Sequence, residues 1–232
     1  MKKPQVIILL GAPGAGKGTQ AELLADRLNL YYLETSRIIE VNVMNAKKGE
    51  YIKVDGKKYY LLDEKKLWET GILCSPPLVS FLVKQKINEL AKEGKGILMA
   101  GSPRTLPEGK DQTPFLKRLF GPKNIKVVLI EITPKQTLLR NSRRRICELM
   151  RHPILSTKKE FLGLNYCPLD GSKLIRRKGL DDPETIKVRL KEYKERTYPL
   201  IEYFKQQGLK IRKVNGEQSV EAVLKDILKA IR

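Results

Sequence analysis

The sequence predicts an α/β protein of three layers, with a parallel central sheet between helices. Three observations carry this. Five short runs, Val6–Leu10, Leu30–Leu33, Ile97–Ala100, Val127–Ile132 and Leu209–Val214, are near-continuous in Val, Ile and Leu rather than alternating. That is the pattern of strands buried on both faces. Helical periodicity separates them, over Lys17–Leu28, Pro77–Glu93, Pro134–Arg145, Pro183–Gln207 and Ser219–Ile231. Helix starts are also marked: Ser75 before Pro76-Pro77, Thr133-Pro134 and Asp182-Pro183 each set a capping residue ahead of proline in the first turn.

Taken in order, Val6–Leu10 opens the sheet and runs directly into a glycine-rich turn ahead of the Lys17–Leu28 helix. Leu30–Leu33 follows as a second strand. Tyr51–Leu62 carries Asp55-Gly56 between strand-like arms and predicts a β-hairpin. The strands at Ile97–Ala100 and Val127–Ile132, the helix after each proline cap, and the closing Leu209–Val214 strand with its helix complete the alternation. Residues 146–177 mix Cys, His, Gly and basic residues without a clean period. Both irregular stretches read as insertions on the strand-to-helix side of the sheet, where such folds keep their ligand sites.

At 232 residues with 41% hydrophobic side chains, the chain fills one or two domains with a real core. Its 46 Lys and Arg against 26 Asp and Glu leave a net charge of +20. That balance points to polyanionic partners: nucleic acid, an acidic membrane surface or small phosphorylated ligands. Three cysteines, Cys74, Cys147 and Cys167, exclude a disulfide-stapled scaffold and fit a reducing compartment. The opening MKKPQVIILL has the charge pattern of a leader, but its apolar run stops after Leu10. No other stretch approaches the roughly 20 apolar residues that cross a bilayer. The expectation is a soluble, cytoplasmic protein without a membrane partner.

Gly11-Ala12-Pro13-Gly14-Ala15-Gly16-Lys17 satisfies G-x-x-x-x-G-K, directly between a predicted strand and a predicted helix. This is the context a phosphate-binding P-loop requires. Glycines let the backbone wrap a phosphate, the helix N-terminus adds positive potential, and Lys17 supplies a point charge for the β/γ oxygens. Gly18 stands where Ser or Thr usually follows the lysine, with Thr19 next. ATP or GTP binding is expected.

Gly11–Gln20 as a whole, GAPGAGKGTQ, resembles the adenylate kinase family of nucleoside monophosphate kinases, in which glycine also follows the lysine. Further matches appear in family order. Gly101-Ser102-Pro103-Arg104-Thr105 resembles G-F-P-R-T; Gly71-Ile72-Leu73 before Leu78-Val79 resembles G-x-L-V; Asp181-Asp182-Pro183-Glu184-Thr185 with Arg189 and Tyr193 resembles the family's D-D…E-T…R-L-x-x-Y helix. The resemblance implies a P-loop NTPase core of residues 1–33, 97–140 and 178–232. Into it are inserted a monophosphate-binding part, 34–96, and a lid, 141–177. It implies transfer of the γ-phosphoryl of MgATP to a nucleoside monophosphate, AMP first, with GMP or a weakly catalytic nucleotide binder as alternatives. By motif position, Arg104 and Arg144 hold the acceptor phosphate, Arg140 lies near the ATP base or phosphates, and Arg177 (or Arg176) with Arg189 clamps the transferring group. Thr35, Arg37, Gly71, Leu73, Gly101 and Glu108 complete the expected acceptor side. Guanidinium forks suit bidentate phosphate contacts better than lysine.

Four departures accompany the match. Ala100 replaces the Asp that holds Mg²⁺ through water in the family, and Glu131, at another strand end, is a candidate substitute. The acceptor motif S-T-G-D-x-x-R reads Glu34-Thr35-Ser36-Arg37-Ile38-Ile39-Glu40, so a phosphate-binding arginine becomes Glu40 while Arg37 is new. Glu108 falls where a Gln reads adenine; an ionised carboxylate facing the base would suit the donors of guanine, and one pointing away would leave adenine to the backbone. The Tyr51–Leu62 hairpin is additional. In the lid, Cys147-x2-Met150-x16-Cys167-x2-Asp170 falls on the family's zinc spacing, with Met150 in one ligand position and His152, the sole histidine, two residues on. The alternatives are a zinc site recruiting His152 and a metal-free lid with buried cysteines. A nucleic-acid partner has only the charge in its favour, with no RNA-binding signature in the sequence.

Overall fold

The computed structural model describes residues 4–150, 153–155, 161, 163–176 and 181–232. Among these the strands are β1 (Val6–Gly11), β2 (Tyr31–Glu34), β3 (Tyr51–Val54), β4 (Lys57–Tyr60), β5 (Ile97–Ala100), β6 (Ile125–Glu131), β7 (Arg144–Cys147), β8 (Pro153–Leu155), β9 (Leu174–Ile175) and β10 (Ile211–Asn215). The helices are α1 (Lys17–Leu28), α2 (Thr35–Val43), α3 (Leu61–Thr70), α4 (Pro76–Lys92), α5 (Leu106–Phe120), α6 (Pro134–Arg143), α7 (Pro183–Glu192), α8 (Pro199–Gln206) and α9 (Val220–Ile231).

The central sheet runs β10-β6-β1-β5-β2, every neighbouring pair parallel. Alternation along β1 divides the core in two. Val6, Ile8 and Leu10 pack with Val83 and Ile87 of α4, Phe120 of α5 and Phe204 of α8. Ile7 and Leu9 pack with Ala21 and Leu24 of α1 and Ile227 and Ile231 of α9. Both faces are thus closed by helices, which is why the strands read as unbroken apolar runs. All five strands point their C-terminal ends to one edge, and the loops of the site gather there.

The β3–β4 hairpin forms as expected, pairing Tyr51 with Tyr60 across a turn in which Asp55 and Gly56 both take positive φ. Its inner residues Ile52, Val54 and Tyr59 rest on Leu78 and Leu82 of α4. Residues without a clean sequence period form the three-stranded antiparallel sheet β8-β7-β9. Two predicted helices are corrected. The one expected to reach Arg145 ends at Arg143, where Arg144 turns extended and starts β7. The one expected over Pro183–Gln207 is interrupted by a π-turn at Tyr193–Thr197, closed by Tyr198 N–H to the Tyr193 carbonyl at 2.8 Å, before Pro199 begins α8. Three helices, α2, α3 and α5, are not expected from the sequence patterns. No helix among the described residues is long and apolar enough to cross a membrane.

Candidate active site

The loop from Gly11 to Gly16 joins β1 to α1, with Ala12 and Ala15 buried beneath it. Gly16 caps α1 at φ 88°, a left-handed conformation that a side chain would strain. Lys17 therefore folds back over the loop, and its Nζ donates to the carbonyls of Gly11 at 2.7 Å and Ala12 at 3.0 Å. Burial and the nearby charges of Arg104 and Arg189 lower the Lys17 pKa to about 7. Lys17, Arg104, Arg189, Gly71, Leu73 and Gly101 line one cleft at the C-terminal edge of the sheet. Glu192 also lines it, with its carboxylate already engaged by Leu73 N–H and Arg196. Three cations converging on one cleft make a site for a polyanion.

Two further expected arginines, Arg140 and Arg144, are held by their own partners. Arg140 donates to the Gly216 carbonyl at 2.8 Å, and burial lowers its pKa while Glu217 opposes that shift. Arg144 makes a two-pronged ion pair with buried Asp181 and donates to Asn141 Oδ1 at 2.9 Å. Arg189 approaches the same carboxylate, Nη1 to Oδ1, at 3.9 Å. Asp181 thus holds two guanidiniums side by side. Gly18 and Thr19 open α1, and a Cβ at Gly18 would stand 3.7 Å from the Tyr32 hydroxyl. Arg177 and His152 lie outside the described residues.

On the acceptor side, a Cβ at Gly101 would meet the Arg104 guanidinium at 3.0 Å and Thr35 Cβ at 3.5 Å, so glycine lets these two residues close in. Thr35 is 2% exposed and its Oγ1 has no hydrogen-bond partner. An orphaned hydroxyl beside an arginine fits an oxyanion. Gly71, at φ 82°, leaves space for Thr185 and Arg189 of α7, which a Cβ would meet at 2.6 and 3.1 Å. Leu73 N–H is fixed by Glu192 at 3.0 Å. Two expected site residues stand apart. Arg37 is exposed on α2 and is not part of the cleft lining. Glu108 turns inward: Oε2 accepts from Ser102 Oγ and Arg104 N–H, both at 3.0 Å, and Oε1 from Thr105 Oγ1 at 2.8 Å. It is 2% exposed, and burial raises its pKa against those hydrogen bonds. It is not part of the cleft lining, which is the second of the two orientations that the sequence leaves open for it. Glu131, the candidate metal carboxylate, is tied to Lys213 at 3.0 Å on the surface.

The model of the adenylate kinase family matches residues 9–209. The chain belongs to the adenylate kinase family. It is 35% identical over 233 residues to an adenylate kinase of Caldicellulosiruptor saccharolyticus, covering 97% of this chain and 98% of that one. It is 32% identical over 228 residues to an adenylate kinase of Methanothrix thermoacetophila, covering 97% of each. Membership makes this P-loop protein a phosphotransferase, a nucleoside monophosphate kinase.

Within this adenylate kinase family member, the region of the β8-β7-β9 sheet gathers Cys147, Cys167 and Asp170, whose ligand atoms lie within 4.8 Å of one another. Cys147 Sγ donates to Asp170 Oδ2 at 3.0 Å, and that bond, with two from Ser172, holds the carboxyl well below the usual range. Tetrahedral zinc with bonds of roughly 2.0–2.3 Å separates its ligands by about 3.5 Å, so three donors of suitable chemistry fit a small contraction. Met150 is 62% exposed and a thioether is a weak zinc ligand.

One signal in the sequence would have found α5 and the orientation of Glu108 together. Thr105-x-x-Glu108 has the spacing of a capping box: Thr105 Oγ1 accepts from Glu108 N–H at 3.3 Å, while the Glu108 carboxylate reaches back to the Thr105 hydroxyl and to Arg104 N–H, one residue before the cap. Asp181, which organises Arg144 and Arg189, is part of the D-D motif but carries no expected role from it.

Proposed function

We propose that this enzyme transfers the γ-phosphoryl of MgATP to AMP, yielding two ADP. The observation that carries the reading is the convergence of Lys17, Arg104 and Arg189 on one cleft beside the glycine-rich loop. The family name of the relatives supplies AMP as acceptor. In this reading the 11–19 loop and Arg140 hold ATP. Thr35, Arg104, Arg144 and Arg189 hold the acceptor phosphate, Gly71, Leu73 and Gly101 shape its pocket, and Arg177 joins from the lid. Residues 1–33, 97–140 and 178–232 act as the core, 34–96 as the monophosphate-binding part and 141–177 as the lid. The enzyme works as a cytoplasmic monomer. Mg²⁺ accompanies ATP, and zinc in the lid takes Cys147, Cys167 and Asp170, with His152 or water as fourth ligand.

Phosphoryl transfer requires in-line positioning and charge neutralisation, with little acid or base chemistry. Arginines fixed by carboxylates and carbonyls supply both, since they need little reorganisation as charge spreads over the transferring group. Closing the lid excludes water, which otherwise competes with the acceptor. The inward Glu108 supports AMP over GMP, because its oxygens are already occupied.

Coupled measurement of ADP formation from ATP with AMP, GMP, CMP and UMP tests the reading. AMP is expected to give the highest kcat/KM, and absence of acceptor-dependent turnover would defeat it. Glu108→Gln is expected to leave the order of acceptors unchanged. It should also lower unfolding stability by about 1–3 kcal/mol, because an amide group would face donors. A reordering of the acceptors would return Glu108 to the base pocket.

A further inference from the structure

The triphosphate of ATP arrives with a divalent cation, and P-loop enzymes hold that cation with a hydroxyl after the loop lysine and a carboxylate at a strand end. Here position 18 is glycine, and β5, the neighbour of β1, ends in Ala100. At the C-terminal edge the five sheet strands end in Gly11, Glu34, Ala100, Glu131 and Asn215. Only two of these are carboxylates. Glu131 is paired with Lys213 and half exposed.

Glu34 differs in three ways. It lies in parallel register with Ala100, as Tyr32 does with Leu98. Ala100 belongs to the core face that holds Ala15 and Ala21 of the loop and α1, and Tyr32 packs against that same face while Leu33 faces the other. By the two-residue period of a strand, Glu34 shares the face of Tyr32 and Ala100. The Tyr32 hydroxyl lies beside Gly18. That hydroxyl's pKa is raised, first by burial and then by the charges of Glu34 and Glu22, with Arg104 opposing. The field of Glu34 therefore reaches the start of α1. One of its oxygens accepts from Ser36 Oγ at 2.9 Å, and no described cation forms an ion pair with it.

We propose that Glu34 is the metal-positioning residue of this enzyme, holding the hydrated Mg²⁺ of MgATP beside the P-loop from the strand next to the one that ends in Ala100. Glutamate is one methylene longer than aspartate, which recovers part of the roughly 4.8 Å between adjacent strands. Magnesium keeps several of its waters, so a carboxylate can hold it through that shell. The assignment rests on MgATP as the donor.

The test is the Mn²⁺ affinity of the full chain in complex with the β,γ-imido analogue of ATP, read from free Mn²⁺ by electron paramagnetic resonance. Glu34→Gln is expected to weaken Mn²⁺ binding about tenfold or more. Its affinity for the analogue without metal should stay equal to that of the parent, because the loop and the arginines are untouched. The double variant Glu34→Ser/Ala100→Asp, which moves the carboxylate to the registered position, is expected to recover most of the loss. Unchanged Mn²⁺ affinity in Glu34→Gln overturns the assignment, as does an equal loss in metal-free analogue binding, which would mark a structural role. A parent protein that binds no analogue with or without metal would remove MgATP as the donor, and this assignment with it.

Discussion

Lys17 has two neighbouring carbonyls and two neighbouring arginines, and burial, reinforced by the arginines, sets its charge. Its folded pKa of about 7 lies below the ordinary value of 10.5, so at pH 8 the free site holds mostly neutral lysine. A bound triphosphate reverses the sign of the local field and returns the pKa upward. ATP binding at pH 8, where ATP itself is fully ionised, should therefore take up close to one proton. Affinity should fall by up to about tenfold per pH unit above neutrality until the bound-state pKa is reached. Calorimetry in buffers of different ionisation enthalpy measures this directly. Heats independent of buffer would show that Lys17 is already charged in the free protein. In the proposed reading the same field accounts for Thr35, whose buried hydroxyl has no protein partner and would take the acceptor phosphate beside Arg104.

At the scale of elements, the β8-β7-β9 sheet, the proposed lid, has the smallest core of its own. Its strands span four, three and two residues, and its buried cluster is Cys147, Cys167 and Leu174. So small a core does not order a sheet alone, and a metal at the two cysteines and Asp170 would supply what packing does not. Protein purified without chelator is expected to carry about one zinc per chain. Its removal should speed amide exchange in β7 and β9 while β1 and β6 stay protected; a zinc content near zero would leave the lid metal-free. Elements differ in how far their sequence announces them. β1, β5 and β6 are legible because burial on both faces leaves unbroken apolar runs. The short helices α2 and α3 are not, since each fully buries only two residues, Thr35 and Val43 or Leu61 and Glu64, and otherwise rests partly buried residues on neighbours that the sequence does not place next to them. The orientation of Glu108 depends on the path of residues 102–105, whose backbone brings Ser102, Arg104 and Thr105 around one carboxylate. The register of Glu34 with Ala100 is likewise a property of strand order, visible only once β2 and β5 lie side by side.

For the whole molecule, the charge of +20 has two consequences that pull in opposite directions with salt. Six cations, Lys17, Arg104, Arg140, Arg144, Arg177 and Arg189, have a proposed phosphate task, and the others lie along the chain without gathering in one segment. Exposed pairs such as Lys66–Asp63, Lys187–Glu184 and Lys225–Glu221 contribute little to stability, and salt weakens them. Even if every acidic side chain found a basic partner, 46 − 26 = 20 cations would remain unmatched. Their mutual repulsion acts across the folded surface and is larger in the compact state than in the expanded chain. Salt screens this repulsion over the same Debye length that weakens the pairs, so the sign of the response follows whichever of the two is stronger. With 20 charges unmatched and the exposed pairs individually weak, repulsion is the side expected to govern. The thermal midpoint of the nucleotide-free enzyme is therefore expected to rise as chloride goes from about 20 to about 200 mM, while ATP affinity, which depends on the cationic cleft, falls over the same range. Parallel melting and binding titrations would read both, and a midpoint that drops with salt would mean that local ion pairs, rather than net charge, govern the stability of this fold.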